Sequence, residues 1–265
     1  MPYQTVLGAR LYYETFGQRR AGRAPILLIH GSTQTGASCW NKVAPALAEE
    51  HYVIVPDCRG HGRSENPCQT YSFREMAADL AALVRALGFE KAHIIGHSNG
   101  GNVAIVMLME HGDALQSAVV QAGNAWLTDQ LIEREKQVFT PVYIAEHYPD
   151  WMSEVVALHE PFHGEGYAAK LIDLTREEIL REPHYTPEEM ARIHVPVLFI
   201  QGELDGVNAP SGFAQSMTRA TPGAKLWLPK GVGHNVHDEI LQEWLDKVRD
   251  FLFTVDGIRP SQGRG

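Results

Sequence analysis

Gly96-His97-Ser98-Asn99-Gly100 follows directly on the apolar run Ala92 to Ile95 and precedes a helical run from Asn102 to Glu110. The five residues match G-x-S-x-G, the nucleophile-elbow pattern. In it a serine sits on a strained strand-to-helix turn with its hydroxyl pushed out above the sheet edge. Small residues at 96 and 100 let strand and helix pass close on either side. Glycine is common in this chain, so the five letters alone decide little. The strand before them and the helix after them carry the signal.

Outward from the elbow the chain alternates strands and helices. Tyr3 to Leu7 and Arg10 to Thr15, parted by Gly8, read as an antiparallel hairpin. Pro25 to His30 is a continuous apolar run, as expected of a strand buried on both faces. Strand 52–56, helix 72–87, strand 92–97, helix 99–111 and strand 117–121 follow, then strands 195–201 and 225–228 and a helix over 238–253. In helix 72–87, Met76, Leu80, Leu83, Val84 and Leu87 recur at spacings of three and four, and Ser72 with Glu75 predicts a capping box. Such alternation predicts an α/β fold, a mainly parallel eight-stranded sheet flanked by helices. The core is assigned to 1–123 and 195–255. The segment 124–194 breaks the rhythm, with helical stretches, no convincing strand, and many aromatics and histidines. Inserted after the sixth strand, it falls above the carboxyl edge of the sheet, where open α/β folds bind ligands. It is read as a helical cap walling a substrate pocket, with His30, Trp126, Tyr143 and Phe162 as candidate lining residues. A packed helical decoration is the competing reading. The tail 256–265 is expected to be disordered.

Composition narrows the function classes. A net charge of −9 with no stripe of Lys and Arg argues against a nucleic-acid partner. No uninterrupted apolar stretch is long enough for a membrane span, and no signal peptide is visible, so a cytoplasmic protein with a small-molecule substrate is expected, as monomer or homodimer. Cys39, Cys58 and Cys68 have no metal-ligand spacing and fit free thiols. No metal or cofactor is expected.

A serine hydroxyl needs a neighbouring base. Among thirteen histidines, His234 in Gly231-Val232-Gly233-His234 follows the last strand and can lean over Ser98. His237 stands at a helix entry and is expected to point outward, and His97 is expected to turn away from the nucleophile. The base needs a carboxylate to orient it. Asp205, after strand 195–201, is the choice, with Glu203 its rival; the end of the preceding strand, Gln121-Ala122-Gly123-Asn124, offers no acid. For an oxyanion, the backbone N–H groups of Asn99 and Ser32 are the expected donors, with Thr33 an alternative.

With these residues in place the chain resembles the α/β-hydrolases over nearly its whole length. The resemblance rests on His30-Gly31 after the third strand, Asp57-Cys58-Arg59-Gly60-His61-Gly62-Arg63-Ser64 after the fourth, the elbow, and the Asp205 and His234 loops. It implies a Ser98, Asp205, His234 triad in the family's chain order, with Arg59 and His61 structural. Dehalogenases and epoxide hydrolases of this fold carry aspartate at the elbow, where this chain has Ser98. Carboxylic-ester hydrolysis, including methyl esters and lactones, is the leading expectation, with an apolar or aromatic substrate portion under the cap. Carbon–carbon hydrolysis of diketone-like ring-cleavage products, cofactor-free perhydrolysis and a small-molecule receptor role are the alternatives.

Overall fold

The structure is a computed structural model and describes residues 3–257. Its sheet has eight strands: β1 (Tyr3–Val6), β2 (Ala9–Phe16), β3 (Ile26–Ile29), β4 (Val53–Pro56), β5 (Ala92–His97), β6 (Leu115–Gln121), β7 (Val197–Ile200) and β8 (Lys225–Trp227), in the order β1-β2-β4-β3-β5-β6-β7-β8. The β1/β2 hairpin is antiparallel, β2 joins β4 antiparallel, and every later pairing is parallel. The eight-stranded α/β expectation holds.

Between β3 and β4 lie the short helices α1 (Gly36–Trp40) and α2 (Val43–Leu47). Helices α3 (Phe73–Ala86) and α4 (Asn99–Glu110) flank β5, and β6 leads into five helices with no strand among them. These are α5 (Asp129–Val138), α6 (Pro141–His147), α7 (Pro149–His163), α8 (Tyr167–Ile179) and α9 (Pro187–Met190). Helix α10 (Phe213–Ala220) precedes β8, and α11 (Val236–Glu239) and α12 (Leu241–Val255) close the described chain. The expected helix 238–253 is thus two helices, broken at Ile240 where φ is −134° and ψ 54°.

Side chains of the central strands alternate between two apolar layers, as the two-residue period of a strand requires. Leu27 and Ile29 pack with α3, α4 and α10; Ile26 and Leu28 pack with α1, α2 and α12. Helix α3 buries Met76, Leu80, Leu83 and Val84, the predicted stripe. Its capping box is only half formed. Ser72 accepts from the Glu75 N–H, but the Glu75 carboxylate is taken by the Thr70 hydroxyl at 2.6 Å.

The loop after β4 is held by buried ionic and hydrogen bonds rather than apolar packing. Arg59 pairs with Asp79 of α3 through two bonds of 2.7 Å, both residues buried. His61 sets Nδ1 3.0 Å from the Arg59 carbonyl and Nε2 2.8 Å from the Ser32 carbonyl, so it braces the turn after β3. These contacts are structural, in line with the sequence reading.

The tail needs one correction. Asp256 is not disordered: it caps α12, and its Oδ1 lies 3.0 Å from His93 Nε2, whose Nδ1 lies 2.7 Å from Ser117 Oγ. A buried histidine on β5 requires a partner, and the end of α12 supplies it. The remainder of that segment, from 258 on, lies outside the described residues. Among the described residues, no helix is long and apolar enough to cross a membrane.

Candidate active site

Ser98 links β5 to α4 with φ 55° and ψ −122°, a region that non-glycine residues occupy at a cost and that clusters at functional sites. The flanking glycines are required by space. A Cβ at Gly96 would stand 2.1 Å from the Gly100 carbonyl oxygen, and one at Gly100 would stand 2.3 Å from the Ile29 carbonyl oxygen. Strand, helix and the neighbouring β3 therefore converge on Ser98 too closely for any side chain at either position.

Ser98 and His234 face one cavity of about 560 Å³ at the carboxyl edge of the sheet, and Ser32 and Asn99 share its wall. His234 Nδ1 lies 2.9 Å from Asp205 Oδ1. The same Oδ1 accepts from the Val207 and Asn208 N–H groups. Burial pushes the Asp205 carboxyl up, but the hydrogen bond and charge of His234 and the two backbone donors outweigh it, and its pKa stands below the ordinary carboxylate value. Glu203 instead accepts from the Gly231 N–H at 3.0 Å, at the start of the histidine loop. The Asn99 N–H opens α4, where no carbonyl one turn back exists to receive it.

Behind the elbow lies a buried polar chain that sequence reasoning missed. The Trp244 indole N–H can only donate, and it donates to Gln121 Oε1 at 2.7 Å. The amide nitrogen of Gln121 therefore faces His237 Nδ1, at 2.8 Å, and donates to it. His237 then carries its proton on Nε2, which points at Cys39 Sγ, 3.9 Å away; His97 Nδ1 lies 3.9 Å from the same sulfur. So His237 does not point outward. It is buried against Trp40 because the end of β6 and α12 offer it partners, and burial holds its pKa down at about 4. His97 lines the cavity and packs its ring 5.0 Å from that of His234. Burial, first of all, and then its two histidine neighbours keep it neutral. Burial also raises the Cys39 thiol far above its ordinary value, so this sulfur is a neutral packing group.

The segment 124–194 lies across the opening and is fixed to the core by hydrogen bonds. The Gly62 N–H donates to His159 Nδ1 at 2.9 Å, so the ring proton sits on Nε2 and is donated to the Thr33 carbonyl, also at 2.9 Å. The Trp151 indole N–H donates to Thr33 Oγ1 at 2.9 Å, and the Tyr167 hydroxyl to the Gly60 carbonyl. Helix α7 is thereby tied to the turn that presents Ser32.

None of the four expected lining residues reaches the cavity. His30 turns inward, its Nε2 accepting from the Cys58 N–H at 2.9 Å. Trp126 packs edge-on against Phe213, and Tyr143 stacks on His147 one turn along α6. Phe162 is 53% exposed. It stands eleven positions beyond Trp151, about 16 Å further along the helix axis. The wall is built instead by Leu131, Arg134, Glu135 and Val138 of α5, then Phe139, and by Tyr148, Asp150, Trp151 and Glu154 at the start of α7. On α5 these follow the i, i+3, i+4, i+7 spacing of one helical face. That spacing is present in the sequence, but two of its four residues are charged, so no apolar stripe marks it. The cap wall thus joins aromatic side chains, as its composition suggested, with charged ones.

A family model for the alpha/beta hydrolase fold matches residues 24–187. The chain belongs to that family. Among its relatives, a fluoroacetate dehalogenase of a Burkholderia species is 42% identical over 100 residues, 36% of this chain and 33% of that protein. A soluble epoxide hydrolase of a Corynebacterium species is 31% identical over 158 residues, 57% of this chain and 52% of that protein. The chain thus spans between a third and about half of the length of these two relatives. The solved structure of Est816, an N-acyl homoserine lactone degrading enzyme, superposes with a TM-score of 0.75 at 22% identity, over 94% of this chain and all of that one. At that identity the likeness is one of fold.

Proposed function

We propose that this α/β-hydrolase cleaves carboxylic esters, methyl esters and lactones included, through an acyl-enzyme on Ser98. The observation that carries the reading is a serine, not a carboxylate, on the strained elbow, opening on the same cavity as a His234 bonded to Asp205. An elbow aspartate displaces halide or opens an epoxide by attack on saturated carbon. A serine with amide donors suits attack on an acyl carbon, so the dehalogenase and epoxide hydrolase likenesses do not extend to the reaction.

In this reading His234 Nε2 takes the Ser98 proton as Oγ adds to the ester carbonyl, while Asp205 holds the imidazolium that forms. The Ser32 and Asn99 N–H groups receive the oxyanion, each worth about 2.7–4 kcal/mol. Collapse expels the alcohol, protonated by His234. Water, deprotonated by the same ring, then releases the acid and restores Ser98. Carbon–carbon hydrolysis of an anionic diketone would call for a free cation in the cavity; Arg134 is there, but it pairs with Glu135.

A substrate comparison tests the reading. The purified protein is expected to turn over p-nitrophenyl acetate, simple methyl esters or γ-lactones repeatedly, and to release no fluoride from fluoroacetate and no diol from styrene oxide. Halide or diol formation exceeding ester cleavage would overturn it.

A further inference from the structure

The cap side of the cavity has a chemistry that the triad does not use. Three aromatic side chains stand together there: Trp151 is flanked edge-on by Phe139, with centroids 5.8 Å apart, and by Tyr148 at 6.2 Å. On the same helix, Asp150 and Glu154 line the cavity on either side of Trp151, four residues apart and so on one face. Neither carboxylate makes an ion pair or hydrogen bond with a described residue. Helix α5 adds Glu135 to the lining, buried and already matched by Arg134. The four charged groups therefore leave a formal excess of two negative charges facing the cavity.

An independent observation lies nearer the triad. Asn208 is 97% buried and lines the same cavity; its amide nitrogen donates to the Ala122 carbonyl, which fixes the orientation of the amide and leaves Oδ1 with no donor. A buried acceptor without a partner is costly, and its partial negative charge favours a positive neighbour over a negative one. Aromatic faces attract an organic cation through their quadrupoles, and unpaired carboxylates add attraction. An anionic substrate would meet the same carboxylates as repulsion. In a protein of net charge −9 the long-range field has the same preference.

We propose that this cavity selects esters bearing a cationic nitrogen, an ammonium or quaternary amine, seated among Trp151, Tyr148, Phe139, Asp150 and Glu154. The proposal rests on the ester reading of Ser98 for its reaction but on the cap wall for its selectivity, and the two can fail separately.

The test uses two alcohols of equal shape, 2-(trimethylammonio)ethanol and 3,3-dimethylbutan-1-ol, which differ in the charge of one atom. As competitive inhibitors of p-nitrophenyl acetate hydrolysis, the cation is expected to bind at least ~10-fold more tightly than the neutral isostere. Half-molar salt should narrow the gap. In the Asp150→Asn/Glu154→Gln double variant the ratio should fall towards one; because it is a ratio, a loss of folded protein does not move it. Equal inhibition by the two alcohols, tighter binding of the neutral one, or a ratio unaltered in the double variant would each overturn the proposal while leaving ester hydrolysis standing. Without turnover of p-nitrophenyl acetate the ester reading falls, and calorimetric binding of the same two alcohols still decides the selectivity.

Discussion

Replacing Ser98 by alanine is expected to lower kcat/KM on p-nitrophenyl acetate by about 10⁴-fold or more, with the folded structure intact. Alanine at 98 retains the Cβ and removes only the oxygen that forms the covalent bond. His234→Ala should cost as much, because the hydroxyl then has no base. Asp205→Asn should cost about 10³–10⁴-fold. It preserves the shape of the group 2.9 Å from His234 Nδ1 but removes the charge that orients the ring and stabilises its protonated form. Combining the three should cost little beyond the largest single loss, since they act as one unit. The contrasting control is Glu203→Gln, which is expected to leave the rate within a fewfold, its carboxylate holding the Gly231 amide rather than the base. A rate that survives Asp205→Asn and collapses in Glu203→Gln would move the acid role to Glu203.

The second large effect is on stability. Thermal unfolding is expected to shift steeply downward as pH falls from 6.5 towards 4. His30, His51, His97, His159 and His237 are buried, and burial holds each imidazole below its ordinary value of 6.5: His51 and His237 at about 4, His159 at about 3, His30 and His97 well below. The sign follows from which state takes the proton. Above 6.5 both states are neutral and the stability is complete. Below it the unfolded chain binds protons that the folded one refuses, so stability drains as pH falls through the window between 6.5 and the folded values. Each such histidine costs on the order of 1 kcal/mol at one pH unit below 6.5, so several together weigh heavily against the marginal stability of an ordinary domain. Burial raises the carboxyls of Asp57, Asp79 and Glu135 and acts in the opposite sense, but on fewer groups. Calorimetric melting temperatures across pH 8 to 5 check this; a flat profile down to pH 5 would contradict it.

The parts of the fold legible in the sequence were those fixed by local rules. The strands around the elbow announce themselves because a residue buried on both faces must be apolar. Gly96 and Gly100 announce the turn because backbone atoms lie within 2.3 Å of where a Cβ would be. Asp205 and His234 were legible because each follows a strand end at the same sheet edge. What escaped was decided by tertiary partners. The burial of His237 depends on Gln121 and Trp244, 116 and 123 positions apart in the two contacts involved. The cavity wall escaped for a related reason. Aromatic content marks 124–194 as a place where a pocket can be built, but whether Phe162 or Trp151 faces it depends on where α7 crosses the sheet edge. The bond between Trp151 and Thr33 fixes that crossing. Asp256, read as part of a loose tail, is held by a histidine on β5 far from it in sequence.

The central claim is that the hydroxyl of Ser98 becomes acylated during turnover. Intact-mass spectrometry of protein quenched in acid during hydrolysis of p-nitrophenyl acetate tests it most directly. The account predicts one added acetyl group per chain, located by proteolysis on the peptide containing Ser98 and absent from the Ser98→Ala variant. Steady turnover with no adduct at any quench time, or an acetyl group carried on another residue and retained in Ser98→Ala, would contradict it.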